Sequence, residues 1–284
     1  MTKLKMRLRI IAVVGVATIA ATFVSLATTA APAAAAVPGL EKRKAFSASD
    51  STSVKSATAE CPQGKVVVGA AFDVGAVGVV LDDLILNTTN VEVTAYEGFG
   101  GVSQSWFVTA VAFCANPLPG YELRKATTAS DSTFEKAAVA VCSPGKRVLG
   151  AGGYLTGGQG TVVFDEILPD SDRVSVKAFE ANGASANSWR VTAIAVCANP
   201  ISMHIATGIS PHNSDTKTVK AICGAGTEVI SAAFDLVSSI GQVNVYGSMQ
   251  MEPFESVANT GAAEDADGTS GSWTLVSYAI CATP

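Results

Sequence analysis

Three times along this chain a Ser-Trp pair is followed by seven residues and then Cys-Ala. Ser105-Trp106 leads to Cys114-Ala115, Ser188-Trp189 to Cys197-Ala198, and Ser272-Trp273 to Cys281-Ala282. The residues between are mostly β-branched, aromatic or Ala, which fits a pleated, buried strand better than a helix. A second set of cysteines keeps the same period. Cys61, Cys142 and Cys223 lie 81 residues apart, and Cys114, Cys197 and Cys281 follow at 83 and 84. Self-similarity at a fixed period signals a repeat architecture. It divides the chain into repeats over 37–117, 118–200 and 201–284.

Each repeat therefore holds two of the six cysteines. An even count in an exported chain reads as a disulfide framework. Repeat symmetry selects Cys61–Cys114, Cys142–Cys197 and Cys223–Cys281 from the 15 pairings that six cysteines allow. A metal site is the rival reading, but no CxxC occurs and neither histidine lies near a cysteine in sequence. No metal or cofactor is expected.

Residues 1–36 read as an export signal. Lys3, Lys5, Arg7 and Arg9 precede an uncharged apolar stretch over 10–26, and Ala34-Ala35-Ala36 supplies a small-residue cleavage site. An uncleaved membrane anchor is the rival reading, since the apolar stretch is almost long enough to span. Cleavage would leave 248 residues with 15 basic and 24 acidic side chains, a net charge of −9. An acidic, sparsely charged surface argues against nucleic acid and anionic lipid as partners. The expected location is extracellular, with no membrane contact once the signal is removed.

Within a repeat, short strands alternate with turns. Residues 54–61 alternate small and polar side chains, Pro62-Gln63-Gly64 turns the chain, and 65–74 is Val-rich. Residues 79–86 form a further strand, and Val91, Val93 and Ala95 alternate with polar neighbours. The second repeat matches element for element. The third drifts, and residues 259–271 read as a long loop carrying Glu264, Asp265 and Asp267. No sustained helical period occurs. The expected fold is all-β: three homologous repeats of about 80 residues, packed either as a pseudo-threefold prism or as three small sandwiches in tandem.

The Cys61-Pro62-Gln63-Gly64-Lys65 turn, its counterpart Pro144-Gly145-Lys146-Arg147-Val148-Leu149-Gly150, and the ending Tyr278-Ala279-Ile280-Cys281-Ala282 resemble repeats of secreted actinobacterial proteins of unknown function. That likeness covers the mature chain and implies export and fold, with no chemistry. The threefold repeat and the Cys-Pro-x-Gly turn are also similar to the vitelline membrane outer layer family, which implies a β-prism of three pseudo-equivalent sheets. The repeats here are longer than that family's.

Catalytic chemistry has few candidates. His204 and His212 are the only histidines, and His212 stands in a turn at the position of Asp50 and Asp131. A nucleophilic triad would need one of them. Asp82-Asp83 and Asp165-Glu166 occupy equivalent strands, with Tyr246-Gly247 in that region of the third repeat. Neighbours on a strand face opposite ways, so each acid pair reads as the exposed face of an edge strand. The minority reading gives Asp82 and Asp165 one Ca²⁺ or sugar-hydroxyl contact each. Asp73, Tyr154 and Asp235 share an offset of 12 residues from the first cysteine of their repeat, and could hydrogen-bond sugars. The three Trp residues share strand parity with cysteines and are expected in the core.

These readings point to a non-enzymatic extracellular protein acting by surface contact, as an envelope, matrix or adhesion component. The alternative is a lectin-like glycan binder with one weak site per repeat, using Asp73, Tyr154, Asp235, Asp82 and Asp165. A glycoside hydrolase is the remote third reading, because glycosidases need only two carboxylates.

Overall fold

The computed structural model describes residues 36–98, 100–181, 188–253, 255–266, 268–269 and 271–284. Apart from Ala36, the expected export signal lies outside the described residues, as does Asp267. Eighteen strands and no α-helix occur among the described residues. The first repeat supplies β1 (Glu41–Phe46), β2 (Val54–Glu60), β3 (Val66–Asp73), β4 (Val79–Leu86), β5 (Asn90–Glu97) and β6 (Thr109–Ala115). The second supplies β7 (Glu122–Thr127), β8 (Glu135–Val141), β9 (Arg147–Thr156), β10 (Val162–Pro169), β11 (Arg173–Glu180) and β12 (Arg190–Ala198). The third supplies β13 (Met203–Ile209), β14 (Lys217–Ile222), β15 (Glu228–Val237), β16 (Val243–Gln250), β17 (Val257–Glu264) and β18 (Thr274–Ala282).

No sheet belongs to one repeat. Sheet I runs β1-β6-β3-β16-β17-β14, sheet II β13-β18-β15-β10-β11-β8, and sheet III β2-β5-β4-β9-β12-β7. Each repeat thus gives three strands to one sheet and three to the next, in cyclic order. This rules out tandem sandwiches and leaves the pseudo-threefold prism. Consecutive strands β1 and β2, β7 and β8, and β13 and β14 turn the three corners where sheets meet. The three disulfides, Cys61–Cys114, Cys142–Cys197 and Cys223–Cys281, cross those corners and link III to I, II to III and I to II. They are the bonds of an oxidising compartment. No helix among the described residues is long and apolar enough to cross a membrane.

The middle of each sheet is buried on both faces. Strands β3, β9 and β15 meet around the pseudo-threefold axis, each with one residue bulged out of register: Val68, Leu149 and Ile230. Directly after the bulges come Gly69, Gly150 and Ser231, where the backbones approach most closely. A Cβ on Gly69 would lie 1.9 Å from the Ile230 carbonyl oxygen, and one on Gly150 2.6 Å from that of Val68. Ser231 is the one of the three with a side chain. Its hydroxyl donates to the Ala70 carbonyl at 3.3 Å and accepts from the Ala70 and Ala151 amides.

The three Trp side chains are fully buried, as their strand parity predicts. Residues 259–264, read from sequence as loop, instead continue β17, which pairs with β16 and β14. Small inward residues, Ala258, Thr260 and Ala262, give that strand a weak hydrophobic pattern.

Candidate functional site

The halves of each sheet join at a short seam of two paired residues. Across the three seams Asp73 faces Gly247, Tyr154 faces Asp83, and Asp235 faces Glu166. Two residue sets that look unrelated in the sequence are therefore opposite walls of the same three junctions. Strands β4, β10 and β16 each carry a bulge there, at Asp82, Asp165 and Tyr246. This corrects two expectations. The acid pairs lie on central strands, with Asp82 only 7% and Asp165 only 3% exposed. The bulge also breaks the alternation that would send neighbouring side chains to opposite faces. The carboxyl groups of Asp82 and Asp83 hydrogen-bond to each other.

The seams share a backbone and differ in chemistry. In sheet III, burial and the neighbouring Asp83 push Asp82 up to about 8, so Asp82 holds the shared proton. Its Oδ1 is buried without a hydrogen-bond partner. Asp83 is raised mainly by burial, with Thr94 hydrogen-bonding its charged form. In sheet I, Asp73 accepts from the Gly75 amide at 2.9 Å and stands opposite Gly247, while Tyr246 turns over Gly261 toward the Lys217 carbonyl. In sheet II, three carboxylates gather: Asp165, Glu166 and Asp235. Asp165 binds Lys177 Nζ at 2.9 Å through one oxygen and the Ser239 hydroxyl at 2.6 Å through the other. Burial raises Glu166 and Asp235, and the Asp165 charge raises Asp235 further.

The sheet II seam opens into a cavity of about 320 Å³ lined by these groups, Phe179 and residues 236–240. Its rim is strained. Ser238 has φ of 69° and Ile240 of 44°, in the left-handed region. The corresponding turn of the second repeat places Gly157 where Ser238 stands, with φ of 81°, and the shorter turn of the first repeat carries Gly75 with φ of 66°. A β-branched residue such as Ile240 is rare in that region. The strained turn carries the Ser239 hydroxyl from the third repeat onto Asp165 of the second.

A further polar constellation recurs once per repeat and escapes the sequence reading. Lys55, Lys136 and Lys217 are buried over the rings of Trp106, Trp189 and Trp273, at 5.0, 5.0 and 4.1 Å from the centroids. Each indole N–H donates to a glutamate nine residues earlier, Glu97, Glu180 or Glu264, at 3.3, 3.0 and 3.0 Å. Each lysine also reaches Asp50, Asp131 or Asn213. The third-repeat counterpart of Asp50 is therefore Asn213, which bridges Trp273, and not His212. The signal was available: each lysine stands six residues before its cysteine. Every member is paired within the set, so the arrangement locks the Trp in place. His204 accepts from the Gly224 amide and His212 contacts Thr274. Among the described residues no group of three or more His, Cys, Asp or Glu is placed to hold a metal ion.

The sheet III acid pair carries a pH prediction. In the unfolded chain Asp82 loses its proton near its ordinary 3.8, against about 8 when folded. Between those values the folded state holds a proton that the unfolded state has lost. The group therefore favours folding below 3.8, and that advantage disappears as pH rises through 8. The raised seam acids Asp83, Glu166 and Asp235 act in the same direction. Glu122 and Glu252, both held down to about 2, change stability only in acid. The urea midpoint should fall between about pH 5 and about pH 8.5. Asp82→Asn should flatten that slope and exceed wild type at the alkaline end. A wild-type midpoint independent of pH across this range would refute the pairing.

Fold and site together define a three-repeat, disulfide-ringed β-prism with an acidic cavity at one inter-repeat seam. No protein-family model matches the sequence, and no curated protein matches it.

Proposed function

We propose that the protein is exported and acts without catalysis, by surface contact, and that the sheet II cavity is its contact point for polysaccharide. The observation carrying this reading is the convergence of Asp165, Glu166, Asp235, Lys177 and Phe179 on one open cavity between two repeats. Carboxylates accept from sugar hydroxyls, the ammonium donates to sugar oxygens, and the aromatic ring packs against apolar sugar faces. Hydrolysis fits less well. Both oxygens of Asp165 are engaged, by Lys177 and Ser239. The unlike seams favour one principal site over three equal ones.

Co-sedimentation with cellulose, chitin and peptidoglycan, followed by titration with soluble fragments of whichever binds, tests the proposal. Glu166→Gln with Asp235→Asn should weaken binding about tenfold, the loss of charge-assisted hydrogen bonds, and leave the fold intact. Absence of binding to the whole panel, or undiminished binding by the double variant, would remove the polysaccharide reading. Release of reducing ends would overturn the non-catalytic one.

A further inference from the structure

At one end of the prism a second cavity, of about 300 Å³, sits on the pseudo-threefold axis and takes lining from all three repeats. Val80, Val163 and Asn244 are equivalent, each two residues before a seam bulge, and all three line it. Gly98, Ala181 and Asp265 are likewise equivalent. Each follows the glutamate that accepts an indole, and each donates its amide to the residue preceding β4, β10 or β16: Gly78, Thr161 and Gln242. Two repeats therefore give this bowl apolar or bare walls, with Val80, Val163 and Ala181 forming a small cluster of their own. The third gives it an amide and two carboxylates.

The fold does not need that polar wall, because Val serves at the same position in two repeats of the same backbone. Asn244 also carries a cost. Its Oδ1 is buried without a hydrogen-bond partner, and an unmet buried acceptor destabilises the protein. Glu264 also lines the bowl, one oxygen accepting from the Trp273 indole and the other from the Thr269 amide at 3.3 Å. At this bowl the third repeat departs from the other two toward a hydrogen-bond acceptor and negative charge, with Asn244 in place of Val and Asp265 in place of Gly or Ala.

We propose that this axial bowl binds a small organic cation, a primary ammonium on a short aliphatic body. Its apolar part rests on Val80, Val163 and Ala181, and its N–H groups donate to Asn244 Oδ1 beside the Glu264 and Asp265 carboxylates. The site is independent of the seam cavity.

Methyl NMR of the mature protein, titrated with n-pentylammonium and with n-pentanol, tests it. The ammonium should shift the Val80 and Val163 methyl resonances saturably, and more tightly than the alcohol. Asn244→Val recreates the residue of the other two repeats. It should fold, show a thermal midpoint at or above wild type, and bind the ammonium about tenfold more weakly, the loss of one charge-assisted acceptor. Asp265→Ala, which copies Ala181, should weaken it similarly. Asp235→Asn in the seam should leave ammonium binding unchanged. The proposal fails if the ammonium leaves these methyls unshifted, if the alcohol binds as well, or if Asn244→Val binds as tightly as wild type.

Discussion

Gly69→Ala should prevent the three sheets from closing on one another. The added Cβ would lie 1.9 Å from the Ile230 carbonyl oxygen and 2.7 Å from the Ser231 Cβ. Both belong to backbone or to the first side-chain atom of the facing strand, so no rotamer change relieves the overlap. The position lies on the axis, where β3, β9 and β15 meet, and separating one pair disturbs all three sheets. The expected loss exceeds about 4 kcal/mol, at the severe end for a single substitution. Gly64→Ala is the control. Gly64 has φ of 85° but no neighbour within 4 Å, so it should lose only the left-handed backbone term, about 1–2 kcal/mol. Urea unfolding followed by Trp fluorescence compares the two. Equal losses at Gly69 and Gly64 would show that the axial approach is looser than described.

The architecture was largely readable because its markers are local and repeated. The Trp and Cys spacings identify three units, and period-two alternation locates β2 within a residue of its observed ends. Strand exchange between units was not readable. A repeat that donates β1, β3 and β6 to one sheet and β2, β4 and β5 to another has the same alternation as a self-contained sandwich. The choice is made by contacts such as Gly69 against Ile230, more than 150 residues apart in sequence. β17 was missed because its inward side chains are Ala and Thr, too small to mark a face.

The site was half readable. Asp73, Tyr154 and Asp235 stood out by shared offset, and Asp82 and Asp165 as members of acid pairs. That the first set faces the second depends on inter-repeat pairing of only two residues per seam. The bulges at Asp82 and Asp165 were the second obstacle. A bulge adds one residue to one strand and carries no fixed composition, so strict alternation assigned those acids to an exposed edge. The Asp/Asn–Lys–Trp–Glu lock was readable but overlooked, since a lysine inside an alternating strand looks like its solvent face. Here Lys55, Lys136 and Lys217 point inward, their charge met by the indole ring and a neighbouring acceptor.

Replacing Cys142 and Cys197 together by Ala should lower stability by about 4 kcal/mol, the chain-entropy value for a loop of this length. The bridge spans 55 residues and joins the end of β8, an edge strand of sheet II, to β12 inside sheet III. Without it the corner between those sheets keeps its side-chain packing, Arg124 Nε donating to the Val141 carbonyl at 3.2 Å, the Ser143 amide and hydroxyl donating to Glu122, and the Trp189 indole donating to Glu180. The thermal midpoint should drop by roughly 10 °C for a domain of this size. The loss should not stay local. Each sheet is half of one repeat and half of another, so a repeat cannot unfold without removing three strands from two sheets. Unfolding of the double variant should therefore remain a single transition, coincident by far-UV circular dichroism and Trp fluorescence. Stepwise melting, one repeat at a time, is the behaviour of repeats that contact only their neighbours in a row, and observing it would refute the cyclic exchange of strands.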